Sequence, residues 1–184
     1  MTAMQPKKTR ADLWMDLGLV TFLVIFDAAT RLMPHPPGVT AVAASALFAG
    51  RTLRIPALAV VVPLLAMALS GAALASDDGR ISLVVYAAIT VPAFAGMLAR
   101  RWHGAVPVVV AMISCSLIFF GASNFAVWAF SGMYPLNLQG LAQCYAAALP
   151  FLDKTVLGDL IWTAVLFGGA WLVQRTPAMA RRAS

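Results

Sequence analysis

Asp27 and Arg31 stand four residues apart inside an apolar run, so on a helix they share a face and can pair. Charge inside a bilayer is costly and normally faces the protein interior. If that helix ends near Met33, Asp27 lies about 9 Å inside its outer end. The pair reads either as a binding or proton-linked site at the mouth of a cavity, or as a structural ion pair whose arginine snorkels to the interface. His35, wedged between Pro34 and Pro36, could cap a pocket or bind a metal; a lone loop histidine is more often neither.

A second concentration of polar and aromatic groups runs from Asn124 to Trp162, NFAVWAFSGMYPLNLQGLAQCYAAALPFLDKTVLGDLIW. Asn124 and Trp128 share a helix face, and Ser116 and Phe120 extend it inward. An amide beside an indole can hold an organic ligand by one hydrogen bond and one stacking face. It can equally be a hydrogen bond across helices beside an interfacial aromatic belt. Asp159 and Trp162, three apart, could complete a pocket with Asn124 and Trp128. Tyr134 and Gln143 lie between the two pairs. Cys144 could be a ligand to a soft metal, but one thiol without a His/Cys cluster is weak evidence. No nucleophile motif, phosphate loop or zinc-protease signature occurs, so no catalytic residue and no cofactor is assigned. Binding suits these groups better than turnover.

The elements that must position these groups are membrane spans. Of 184 residues, 61% are hydrophobic and 11% charged, and mean hydropathy is +0.86; a soluble domain carries about 25% charged residues. The chain therefore reads as all-α, a polytopic membrane protein. Residues 1–13 and 175–184 are basic cytoplasmic tails, and 14–174 form one membrane domain. Lys7, Lys8 and Arg10 before an apolar run resemble a signal peptide. The run is too long for one, holds Asp16 and Asp27, and lacks a cleavage site. Spans are expected at 14–33, 37–53, 55–75, 81–99, 105–122 (with a possible extension to 130) and 155–173.

Residues 136–149 should form a short re-entrant or interfacial helix between the fifth and sixth spans, stopped by Pro150. Asp153 and Thr155 would then cap the last span. The segment 37–53 is short, and charge decides it. With six spans, Lys7, Lys8, Arg10, Arg51, Arg54, Arg100, Arg101, Arg175, Arg181 and Arg182 fall inside, and only Arg31, Arg80 and Lys154 outside. The positive-inside rule prefers that split to the five-span alternative, which reverses it. Both termini are then cytoplasmic in a bacterial inner membrane. The net charge of +6 sits in short loops facing lipid headgroups, not on a nucleic-acid-binding surface.

Small residues at i, i+4 (Ala41/Ser45/Ala49, Ala46/Gly50, Ala164/Gly168) suit either packing within the bundle or docking to a partner membrane subunit. Two longer motifs carry a resemblance. RLMPHPPGVTAVAASALFAG at 31–50 and NFAVWAFSGMYPLNLQGLAQCYAAALPFLDKTVLGDLIWTAVLFG at 124–168 resemble the signatures of a family of bacterial integral membrane proteins described as transport proteins. That family is similar to the substrate-binding S components of energy-coupling-factor transporters.

The resemblance implies a six-helix S-component-like bundle, cytoplasmic termini and an outward-facing pocket near Arg31, His35, Asn124, Trp128, Tyr134 and Asp159. It implies uptake of a vitamin-like or other small micronutrient. The Ala-xxx-Ala docking motif of such components is missing from the first span, and Gly38 stands where the family has Asn. The alternative is a structural or assembly subunit of a larger membrane complex.

Overall fold

The computed structural model describes residues 10–34, 38–71 and 79–180, with side chains described to Arg175. Every regular element among them is helical. α1 is Arg10–Leu32, α2 Val42–Thr52, α3 Ala57–Gly71, α4 Gly79–Ala99, α5 Val106–Phe130 and α6 Leu138–Ala180. Four of these, α1, α4, α5 and α6, are long and apolar enough to cross a membrane, and α3 is a shorter apolar helix. Large apolar side chains such as Phe22, Ile25, Leu83, Phe94, Ile118 and Ile161 point outward. Such a surface is stable against lipid and would aggregate in water. This is a membrane protein.

α1 shows how the sequence specifies its inner face. Its buried residues are Asp16, Val20, Leu23, Val24 and Asp27, one stripe at helical spacing. Both carboxylates lie on that stripe, where protein groups can satisfy them. Asp16 accepts hydrogen bonds from the Arg54 and Ile55 amides at 3.2 and 2.7 Å, just ahead of α3. Asp12 pairs with Arg54.

α2 is the centre of the bundle. It has 11 residues, and every position from Val42 to Gly50 is buried. It contacts each of the other five helices. At about 1.5 Å per residue it covers roughly half of a 30 Å hydrocarbon core. The expected span over 37–53 is thus a half-length helix preceded by non-helical backbone over 38–41. Irregular backbone at such depth is tolerated where protein buries it or where it lines a cavity.

The α2–α4 crossing is a backbone contact. A Cβ added at Gly50 would meet the Ala93 carbonyl, and one added at Gly96 would meet the Leu47 carbonyl. Arginines then close the adjacent helix ends reciprocally. Arg51, at the end of α2, donates to the carbonyls of Ala99 and Trp102 at the end of α4. Arg100 donates back to Gly50 and Leu53, at 2.7 Å each. The last carbonyls of a helix have no partner within it, and cationic donors there also oppose the helix dipole. Burial lowers the Arg100 guanidinium from its ordinary value, and the Asp16 charge opposes that shift.

These contacts also fix direction. Asp16 near the start of α1 meets the approach to α3, whereas Arg31 at the end of α1 meets Ser70 at the end of α3. Arg80 at the start of α4 stacks on Phe130 at the end of α5, 5.1 Å from the ring centre. Helices α1, α3 and α5 run one way, and α2, α4 and α6 the other. Among the described residues Arg10, Arg51, Arg54, Arg100, Arg101 and Arg175 gather at one end, with Arg31, Arg80 and Lys154 at the other. Exposed Trp14, Trp102 and Trp171 ring the arginine-rich end as an interfacial belt.

α6 corrects the expected break at Pro150. Residues 138–180 form one helix of 43 residues, so no separate re-entrant helix exists and Asp153 and Thr155 cap nothing. The start lies instead at Asn137, whose Oδ1 accepts from the Gly140 amide at 2.8 Å. Proline removes one internal hydrogen bond but need not end a helix supported by neighbours. The first third of α6 has that support. Tyr145 donates to the Gly121 carbonyl at 2.6 Å, and the Cys144 thiol to the Asn124 carbonyl at 3.4 Å.

The crossing yields a test. Gly50→Ala and Gly96→Ala should each lower the unfolding free energy in detergent by about 1–3 kcal/mol through overpacking. Gly121→Ala has open space at its Cβ and should be neutral or stabilising by up to about 1 kcal/mol.

Candidate functional site

Above the N-terminus of α2, towards the arginine-poor end, the bundle encloses a cavity of about 280 Å³. All six helices wall it: Arg31 from α1, Val42 and Ala43 from α2, Met67 from α3, Ala88 and Pro92 from α4, Ser116 and Phe119 from α5, and Thr155 and Asp159 from α6. Gly38 and Thr40, on the non-helical lead into α2, complete the lining. Two larger spaces are more open: an apolar furrow of about 610 Å³ between α4 and α5, and one of about 770 Å³ among α2, α5 and α6, where Arg51 supplies the charge. Only the first brings oppositely charged side chains to one space.

The short length of α2 creates this cavity. A full-length helix would fill the volume that the non-helical residues 38–41 skirt. Gly38 has φ +80°, a backbone conformation that side chains rarely adopt, and a Cβ there would collide with the Thr155 hydroxyl. The α2 N-terminus is left bare, because Ala41 stands at the cap and makes no side-chain hydrogen bond. Its first amides have no partner within the helix, and the positive end of the dipole points towards the space above.

The two charged walls are held by hydroxyls. Arg31 Nε donates to Ser70 Oγ at 2.6 Å, and that hydroxyl passes its own proton to the Ala66 carbonyl at 2.7 Å. Opposite, Ser116 Oγ lies 2.6 Å from Asp159 Oδ2 and 3.0 Å from the Met112 carbonyl. A hydroxyl has one proton to give, and the shorter contact to the carboxylate takes it. Asp159 is 5% exposed and forms no ion pair among the described residues.

The sequence-selected residues divide sharply. Arg31 and Asp159 meet at the cavity. Asp27 is fully buried at the α1–α2 contact, where Ser45 donates to its Oδ1 at 2.6 Å. Its Oδ2 has no hydrogen-bond partner among the described residues. Asn124 donates to the Phe120 carbonyl of its own helix at 2.8 Å, and Trp128 Nε1 to the Pro135 carbonyl at 3.1 Å. Trp128 therefore ties the end of α5 to the α5–α6 turn, and the Asn124 amide is spent within its own helix. Trp162 packs edge-on against Phe26, 5.4 Å between centroids. Tyr134 is half-buried beyond the end of α5, and Gln143 is exposed. The position of His35 lies outside the described residues. Thus Asn124 and Trp128 do not join Asp159 and Trp162 around one space.

Ser116, Thr40, Thr155 and the bare end of α2 were not selected as ligands. Ser116 carried a signal, since it stands two turns before Asn124 on the same face. The α2 end carried none, because a half-helix and a short span look alike in hydropathy.

The sequence model of one protein family matches residues 12–180. The chain belongs to a family of unknown function, DUF6580. Neither a curated protein nor a solved structure matches it. The family match by itself gives this DUF6580 member no likeness to S components. The motifs at 31–50 and 124–168 now have structural content: the first forms the end of α1, the cavity rim and α2, and the second forms the α5–α6 hairpin.

Removing the partner of a buried carboxylate exposes its cost. Ser45→Ala leaves both Asp27 oxygens unbonded and should reduce stability in detergent by about 1–3 kcal/mol. Asn124→Ala, which removes a bond within one helix, should cost less, about 0.5–1.5 kcal/mol.

Proposed function

We propose that this protein binds a small organic molecule in the membrane and serves its uptake, as a substrate-binding subunit of the S-component kind. The observation that carries this reading is the 280 Å³ cavity to which all six helices contribute, with charged and hydroxyl groups on its walls. A bundle built for scaffolding gains nothing from an internal space, since each lining atom forgoes packing contacts. A ligand site needs one, with a few placed polar groups on an otherwise apolar wall. No group here resembles an activated nucleophile or an assembled acid–base pair, so binding and translocation, with no chemical step, is the reading.

In this reading six passes cross a bacterial inner membrane, with α2 and its non-helical lead making the second. The arginine-rich end is cytoplasmic, both termini lie there, and the cavity opens outward. Small-residue faces on α2 are spent on internal packing, which favours a binding subunit over an assembly subunit that would present them to a partner. An energising partner would have to use another surface.

Native mass spectrometry of gently extracted protein tests the reading. A stoichiometric small molecule should be retained by the wild type and by Asn124→Ala, and lost from Ala88→Trp, which fills the cavity. Wild-type protein that carries no such molecule, or an Ala88→Trp variant that keeps it, would contradict the assignment.

A further inference from the structure

The furrow of about 770 Å³ has a definite length and a polarity along it. Val108 and Val109 of α5 form one wall, Leu160, Ala164 and Gly168 of α6 the other, and Phe48 of α2 lies between them. Towards the arginine-poor end it stops at Leu160, beside the place where Ser116 donates to Asp159 across the two helices. Beyond that tie, Cys144 and Tyr145 of α6 bond to carbonyls of α5. At its other end the furrow reaches Arg51, Thr52, Trp171 and Gln174. From Leu160 to Gln174, α6 covers about 21 Å at 1.5 Å per residue. One leaflet with its headgroups is about 20–22 Å deep. The furrow is therefore one lipid long and lies in the leaflet at the arginine-rich end. A helix crossing the whole membrane runs through both leaflets, and the joined outer halves of α5 and α6 leave no groove for its remainder.

The headgroup end is cationic. Arg51 donates to the carbonyls of Ala99 and Trp102 and forms no ion pair among the described residues. Those carbonyls offset part of its charge, but a guanidinium has five donors and no carboxylate lines the furrow. Arg175 lies over the Trp171 ring at the same end, 3.8 Å from its centre. Asp12 and Asp16, the described carboxylates of that end, are engaged with Arg54 and with the amides of Arg54 and Ile55. A basic mouth on a groove between helices suits an anionic headgroup, and an indole belongs at headgroup depth.

We propose that the furrow holds one anionic glycerophospholipid. An acyl chain lies along Phe48, Val108 and Gly168, and the phosphate meets Arg51 and Gln174, with Trp171 and Arg175 beside it. A groove left empty in hydrocarbon forgoes packing contacts along its whole lining, so a chain fills it. The cationic mouth then selects a headgroup of net negative charge. This site stands on the membrane fold alone and shares no lining residue with the inner cavity.

Native mass spectrometry tests it on the full chain, stripped of lipid in detergent and offered equal amounts of dioleoyl phosphatidylglycerol and dioleoyl phosphatidylcholine. One phosphatidylglycerol per chain should stay bound, at least about fivefold in excess over phosphatidylcholine. Gly168→Phe, placed where an added Cβ has open space, should abolish retention of both lipids. Ala164→Leu, one turn away on the same wall, repeats the test on a second residue. Gln174→Glu, which sets a carboxylate beside the phosphate position, should bring the two lipids to within about twofold of each other. Ala88→Trp, which fills the inner cavity, should leave the retained lipid unchanged, so the two sites fail separately. Thermal unfolding of each variant in detergent establishes that it is folded.

No retained lipid, equal retention of the two lipids by the wild type, or full retention by the folded wall variants would overturn the proposal. So would a preference that survives Gln174→Glu unchanged, or a lipid-free two-chain species, which would assign the furrow to a second copy.

Discussion

Where Gly50 of α2 meets Gly96 of α4, two backbones touch with no side chain between them, and the bundle is built outward from that contact. Between helices in lipid there is little hydrophobic drive, so close approach through small residues supplies the attraction. Here it does more than join two helices. It sinks α2 so deeply that all its residues from Val42 to Gly50 lose contact with the surroundings. A helix in that position cannot be long, since its ends must find partners inside the protein. Arg51 and Arg100 provide them at one end by exchanging donors across the crossing. The other end is left bare, and the cavity lies over it.

The same constraint explains how polar groups are distributed. Asp16 caps the approach to α3, Asp27 holds Ser45 of α2, Arg31 holds Ser70 of α3, and Asp159 holds Ser116 of α5. Each buried charge therefore ties one helix to a different one. In a bilayer an isolated charge is too costly to leave unused. These ties specify which helices are neighbours and at what register. Two of them, at Arg31 and Asp159, also stand at the edge of empty space, and that is the distinction between glue and site.

Much of this was legible in the residues. Apolar run lengths placed the starts of α4 and α5 and the ends of α1 and α4 closely, and the cost of charge inside a bilayer implied an inward face for Asp27. Arg31 and Asp159 stood out as charges beside membrane-length segments. Other features depended on tertiary support that local rules do not see. Pro150 reads as a stop, yet the helix passes through it because α5 flanks the preceding turns through Gly121 and Asn124. Residues 37–53 read as one short span, but only 42–52 are helical. Asn124 and Trp128 looked like ligand groups, because hydropathy cannot tell that a carbonyl four residues back and another at Pro135 already occupy them.

The central claim is that a half-length α2 leaves a cavity open to the side opposite the arginine-rich end. Labelling intact cells tests it most directly. A single cysteine at Thr155, a half-buried cavity residue, is introduced with Cys115 and Cys144 replaced by serine. It is then treated with a membrane-impermeant maleimide. Reaction from outside the cell, slowed by a prior small thiol reagent that fills the cavity, is the predicted result. Reaction only after the membrane is opened would place the cavity on the wrong side and contradict the account.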